Sequence, residues 1–183
     1  MKDKTIGFLG LGSMGVPMCH GLQKSGYQMI IPAYRKEEDA NSGYSPLVPD
    51  RDSKLAAMDE MVRDGAIPAA SMRELVAGSD VILISMPTSR QVEFLVLSEE
   101  GILRNARPGT VVIDLTTADP SSTRRLAAQL EEKGIDLLDA PISAVNQVWN
   151  IPTSDEDDNS RDMLELVRMY ERWMDVKLVG IDD

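Results

Sequence analysis

The sequence predicts an α/β fold with a mostly parallel, doubly wound sheet, and three observations carry that expectation. Short apolar runs alternate with segments of helical periodicity, and most of the runs are apolar at successive positions, as strands covered by helices on both faces must be. The 183 residues include only two Phe, four Tyr and two Trp against eleven Met, so aliphatic side chains must fill the core. Finally, a glycine-rich stretch, "GFLGLGSMG" at 7–15, lies between the first apolar run and the first helical segment. The length suits one core, and the whole of 1–183 is expected to form one domain.

"TIGFLG" (5–10) is the first strand. "MGVPMCHGLQKSG" (14–26) follows as a helix that sets Met14, Met18, Leu22 and, less regularly, Cys19 on one face and stops at Gly26. "YQMII" (27–31) is the second strand. From 36 to 53 the chain is polar and holds Gly43, Pro46 and Pro49, which reads as a surface insertion. Helices are expected at 53–66 and 71–80, the second with Ser71 as N-cap and Glu74 as its reciprocal partner. "VILISM" (81–86) is a strand closed by Pro87, and a helical segment at 89–99 follows. "GTVVIDLTT" (109–117) is a strand, 119–134 a helix with Pro120 at its start, and "IDLLDAP" (135–141) another strand. After "ISAVNQVWNIPTSDEDDN" breaks the rhythm, an amphipathic helix at 160–174 and a short strand at 176–180 complete the pattern.

Placed between strand and helix, each glycine of the turn has a physical role. Gly10 permits the tight turn, Gly12 lets the backbone approach a pyrophosphate, and Gly15 lets the helix close on the sheet. Strand, glycine turn, helix and strand within about 30 residues make the unit Rossmann-like and point to a dinucleotide, held by backbone N–H groups at the helix start. A bare structural turn is the other reading of the glycines alone. In "IIPAYRKEED" the first charged residues after the second strand are Arg35 and Lys36, a pair suited to a 2′-phosphate, so NADP is expected. NAD stays possible through Glu37, Glu38 or Asp39, and Arg35 and Lys36 have a solvated reading as well.

Composition narrows the remaining classes. A formal charge of −11, with Lys and Arg scattered, fits no nucleic-acid partner, and no apolar run approaches a membrane span. Together with the single cysteine, this leads to a soluble cytoplasmic expectation. Cys19 reads as an inert buried thiol and His20, the only histidine, as a surface or packing residue. No metal is expected: one histidine and one cysteine make a poor zinc set, and the "DEDD" at 155–158 reads as helix-end electrostatics.

"GFLGLGSMGVPMCHGLQKSGY", "SMP" at 85–87 and "DLTTADPSSTRRLAAQLEEKGIDLLDAPIS" together resemble the β-hydroxyacid dehydrogenase superfamily, the group of 3-hydroxyisobutyrate, tartronate semialdehyde and 6-phosphogluconate dehydrogenases, with imine reductases as relatives. The resemblance implies a Rossmann NADP-binding domain of an oxidoreductase that moves a hydride between nicotinamide and a small β-hydroxy acid. It implies a dinucleotide turn of Gly10, Leu11, Gly12, Ser13, Met14 and Gly15. Arg35 corresponds to the arginine after the second strand if one residue is inserted near Pro32, and Tyr34 takes that place otherwise. Met86, Pro87 and Thr88 correspond to the loop against adenosine and ribose. Thr116 stands at the serine of a "D-x-S-T" motif beside nicotinamide and substrate, Thr117 at its threonine, and Ser143 in the substrate loop.

Two departures temper the expected activity. Ala144 and Val145 stand where the resemblance calls for glycines, and the family's catalytic lysine lies in a helix linking to a second, helical domain beyond the last strand read here. That domain is therefore expected to be absent, so the chain alone is expected to bind cofactor without turning over a carboxylic-acid or imine substrate. A homo-oligomer or a completing chain would be its partner; an imine-reductase-like enzyme and a non-catalytic NADP-binding module are the alternatives.

Overall fold

A computed structural model describes residues 4–12, 14–33 and 51–142, with backbone only for 51–55. Among these residues six strands form one sheet: β1 (Thr5–Leu9), β2 (Gln28–Pro32), β3 (Ile67–Ala69), β4 (Val81–Ile84), β5 (Val111–Asp114) and β6 (Asp136–Asp139). They are joined by α1 (Gly15–Lys24), α2 (Arg51–Arg63), α3 (Met72–Gly78), α4 (Ser89–Leu97), α5 (Ile102–Asn105) and α6 (Pro120–Glu131). The order across the sheet is β3-β2-β1-β4-β5-β6 and every neighbouring pair is parallel. The expected doubly wound sheet is present, and its strand order reverses between β1 and β4.

Two apolar layers flank the sheet because successive side chains of a strand face opposite ways. In β4, Val81 and Leu83 join Met18, Cys19, Leu22, Met58 and Met61 from α1 and α2. Ile82 and Ile84 join Leu75, Val76, Val92, Val96, Leu126 and Leu130 from α3, α4 and α6. The face read for α1 is observed: Met18, Cys19 and Leu22 are fully buried, with Met14 packed against the same layer.

Helix ends follow local chemistry. Ser71 caps α3 by accepting the Glu74 N–H at 3.1 Å, while the Glu74 carboxylate accepts the Ala70 N–H at 2.8 Å; the reciprocal half of the cap thus reaches one residue further back than expected. Asp119 caps α6, with Pro120 at its first position. At the N-terminal edge of the sheet, Thr5 and Asp80 are tied twice: the Thr5 N–H donates to the Asp80 carboxylate at 2.9 Å and the Asp80 N–H to the Thr5 carbonyl at 2.9 Å. Arg107 holds the other carboxylate oxygen at 3.1 Å.

Some elements differ from the sequence expectation. The helix expected over 53–66 starts at Arg51 and stops at Arg63, because Gly65 takes a φ of 102° and ends it. β3 and the single-turn α5 have no counterpart among the expected elements. Among the described residues β6 is an edge strand whose Leu138 and Asp139 are exposed, so it does not share the two-faced burial of β4 and β5. Most of the insertion at 36–53, the "DEDD" cluster, the helix at 160–174 and the strand at 176–180 lie outside the described residues.

Candidate dinucleotide site

The turn after β1 sits where the strand order reverses, and its three glycines are constrained in three different ways. Gly10 has a φ of 102°, and a Cβ there would lie 2.1 Å from the Ser85 carbonyl oxygen at the end of β4. A Cβ on Gly15 would lie 2.1 Å from the Gly10 carbonyl oxygen and 3.0 Å from the Phe8 ring, so α1 rests directly on the turn. Gly12 is unlike both. Its φ lies outside the left-handed region, and among the described residues a Cβ would meet nothing within 4 Å. Neither backbone conformation nor a described neighbour demands glycine at 12, which leaves space beside the backbone that an approaching group would fill.

The start of α1 faces this space. It has no side-chain cap and no acidic residue in its first turn among the described residues, so its partial positive charge is not neutralised locally. That combination, an open cradle at an uncapped helix start, fits the pyrophosphate of a dinucleotide. Leu11 contributes backbone rather than side chain, since its side chain is buried in the core.

Two further loops converge on the turn from β4 and β5. The Ser85 N–H donates to the Leu9 carbonyl and the Leu115 N–H to the Ile84 carbonyl, so the ladder continues past the strand ends. Met86 then donates its N–H to the Thr116 hydroxyl oxygen at 3.1 Å. The Thr116 hydroxyl in turn donates to the Asp114 carboxylate, which also accepts the Thr116 N–H at 2.9 Å. Thr116 is 3% exposed, so its hydroxyl is engaged on both sides and braces the Met86 loop against β5; Thr117 beside it is exposed. Burial pushes the Asp114 carboxyl above its ordinary value, opposed by the two Thr116 contacts, with Asp139 adding a smaller push upward. Pro87 is exposed, and Thr88 caps α4, its hydroxyl accepting the Gln91 N–H and donating to the Gln91 side chain.

A cleft of about 510 Å³ extends from Gly10 past Pro32 and Ala33 at the end of β2. Its other wall carries Phe94, an aromatic ring 66% exposed, and Ser98, whose buried Oγ has no hydrogen-bond partner among the described residues. Glu99 and Glu100 line the same wall.

Gly10, Leu11, Gly12, Met14, Gly15, Met86, Pro87, Thr88 and Thr116 therefore gather on the loops at the C-terminal ends of β1, β4 and β5. Ser13, Tyr34, Arg35, Lys36 and Ser143 lie outside the described residues. Sequence reasoning missed Asp114, although a lone carboxylate closing the run "VVID" was a readable signal. It also missed Phe94 and Ser98, which approach the turn only through the packing of α4. Cys19 is fully buried with its thiol pushed up to about 12 by burial, in keeping with an inert core thiol.

Comparison with known proteins agrees with this geometry. A family model described as the NAD binding domain of 6-phosphogluconate dehydrogenase matches residues 5–42 and 36–148. The chain is 36% identical over 140 residues to an NAD-dependent L-serine dehydrogenase of Pseudomonas aeruginosa, covering 76% of this chain and 41% of that protein. It is 32% identical over 144 residues to the mitochondrial 3-hydroxyisobutyrate dehydrogenase of Mus musculus, covering 78% and 37%. A solved 3-hydroxyisobutyrate dehydrogenase of Mycobacterium tuberculosis, described with L-serine, superimposes with a TM-score of 0.55 at 30% identity, covering 77% and 41%. The match thus spans about two fifths of the length of these relatives. With an open glycine turn at the point of strand reversal and a family match over most of its residues, the chain belongs to the 6-phosphogluconate dehydrogenase NAD-binding family.

Proposed function

We propose that this chain supplies the cofactor-binding part of an oxidoreductase that moves a hydride between a nicotinamide and a small β-hydroxy acid, with NADP as the preferred cofactor. The observation that carries the reading is the unfilled space at Gly12 between two sterically locked glycines. Residues Gly10 to Gly15 would hold the pyrophosphate. The cleft toward β2 would take the adenosine, with the Phe94 ring as a platform for the base and Ser98 as a hydrogen-bonding partner. Arg35 and Lys36, with Tyr34 beside them, would meet the 2′-phosphate.

The bound nicotinamide supplies the hydride chemistry. The protein's part is to position it, and the brace from Asp114 through Thr116 to the Met86 N–H would hold the Met86 loop in place beside the cofactor. Met86, Pro87 and Thr88 would line the ribose, and Thr116 with Ser143 would stand nearest the substrate carboxylate. A hydroxyl with both hydrogen-bonding directions already engaged is a poor general base. Proton transfer therefore belongs to groups in the part of the relatives that the match does not span, and 1–183 acts as one domain with an insertion at 36–53. A substrate would be a small carboxylic acid or an imine.

Titration calorimetry of the full chain with NADP and with NAD tests this. NADP should bind more tightly by about ten-fold, the worth of one charge-assisted hydrogen bond, and Arg35→Ala should close the gap. Equal affinities in the parent protein would defeat the NADP assignment, and binding of neither would defeat the functional reading.

A further inference from the structure

We propose that His20, Glu60 and Asp64 form a binding site for a divalent transition-metal ion, with Zn²⁺ the best match, between α1 and the end of α2. The three side chains each present one ligand atom, and these atoms lie within 4.8 Å of one another. Glu60 and Asp64 are four residues apart. The Asp64 N–H donates to the Glu60 carbonyl at 2.9 Å, so helical geometry continues through Asp64 and sets both carboxylates on one side.

One feature of the α1–α2 contact points to a missing cation. The His20 Nε2 atom is buried yet makes no hydrogen bond among the described residues, and its ionic neighbour, an Asp64 carboxylate oxygen, stands 3.6 Å away, too far to count as one. Buried acceptors are normally satisfied, and a cation answers what an N–H donor would.

The spacing suits a first-row ion. Bonds of about 2.0–2.2 Å place neighbouring donor atoms roughly 3–3.5 Å apart, and the Nε2 to Asp64 distance of 3.6 Å is already close to that. Glu60 and Asp64 are exposed and free to close the remaining gap, and solvent can complete the coordination. An imidazole in the set favours zinc over magnesium. Cys19, next to His20, is buried in the core layer and is not one of this set. The site lies more than one helical turn along α1 from the dinucleotide turn, and an ion there would staple α1 to α2.

The test uses the full chain made without a histidine tag, stripped with chelator and titrated with Zn²⁺ alone by calorimetry, with Mg²⁺ as a parallel arm. His20 is the only histidine, so its ring resonances report the site without assignment work. One-to-one Zn²⁺ binding that shifts those resonances, at least ten-fold tighter than Mg²⁺ and at least ten-fold weaker in both His20→Gln and Asp64→Asn, is expected. Zn²⁺ binding that is unchanged in the two variants, that leaves the His20 ring signals unmoved at saturation, that Mg²⁺ equals or that appears only at millimolar metal would overturn the site. Should His20→Gln lose its fold by circular dichroism, Asp64→Asn and the ring signals of the parent protein decide the matter.

Discussion

Gly12 and Gly15 are three residues apart, yet alanine should affect them in opposite ways. At Gly12 the added methyl meets no atom of the described residues within 4 Å and the backbone lies outside the left-handed region. Gly12→Ala should therefore leave stability unchanged or raise it by about 0.4–1 kcal/mol by reducing the freedom of the unfolded chain. At Gly15 the methyl lies 2.1 Å from the Gly10 carbonyl oxygen, a backbone atom itself locked by the contact of Gly10 with Ser85. Relieving that overlap moves α1 or the turn, and overpacking of this kind costs about 1–3 kcal/mol. Cofactor affinity should follow a different order. A methyl at 12 occupies the approach to the backbone, and breaking one charge-assisted hydrogen bond to phosphate costs about 1.5–3 kcal/mol, so NADP should bind at least ten-fold more weakly to a protein that is fully folded. Urea unfolding followed by circular dichroism gives the first quantity and calorimetric titration the second. An unchanged NADP affinity in Gly12→Ala, or a Gly12→Ala protein less stable than Gly15→Ala, would refute the reasoning from open space.

Other expectations follow from the hydrogen bonds. Thr116→Val removes both hydroxyl hydrogen bonds and leaves one Asp114 acceptor short of a partner, which should cost about 1–3 kcal/mol in urea unfolding, whereas Thr116→Ser should restore most of that stability. Ser71→Ala should cost about 1 kcal/mol in the same assay by uncapping α3, with no effect on NADP affinity. Because the Asp114 pKa is raised on folding, its contribution to stability is fully present below the ordinary value of 3.8 and is lost as pH rises through the folded value. Glu93 and Asp119 are shifted downward, Glu93 first by the Ser122 hydroxyl and Asp119 first by the Ser121 N–H, so their contributions hold above the ordinary values and fade as pH falls through the folded ones. Asp114→Asn should therefore flatten the loss of stability as pH rises above 3.8 through the folded value and leave the acid limb in place; an unchanged slope in unfolding midpoints on that side would count against the assignment to Asp114.

The sequence was most legible where local chemistry decides alone. The buried runs 81–84 and 111–114, the capped start at Ser71, the helix start at Pro120 and the glycine turn were all read from composition and spacing, because each is fixed by side chains within a few residues. β3 was illegible because three residues with Pro68 in the middle and two of them exposed carry no strand signal; only pairing with β2 makes them one. β6 was legible as a strand but not as an edge, since "DLLD" does not say what lies beyond it. At the site, the glycines could be assigned roles from their spacing, but only coordinates distinguish the two that are sterically required from the one that faces open space. The brace through Asp114, Thr116 and Met86 was hidden for a different reason: Met86 and Thr116 are 30 residues apart and meet through the register of two neighbouring strands.

The double tie between Thr5 and Asp80 bears on how the chain acquires its fold. β1 finds β2 after one short helix, but its other neighbour, β4, pairs across a sequence separation of 75 residues. During synthesis the second edge of β1 stays open until that distant segment emerges, and pairings over such separations are slow to form. A parallel strand arriving late has several sliding positions available, and a slip of one residue would exchange the two apolar layers. A carboxylate on the residue just before the late strand, able to grip the first N–H of the early one and held from behind by Arg107, favours one alignment as the remaining rungs close. In that sense Asp80 is a registration mark for assembly, placed at the end of the sheet farthest from the ligand so that fixing the alignment makes no demand on the chemistry of the site.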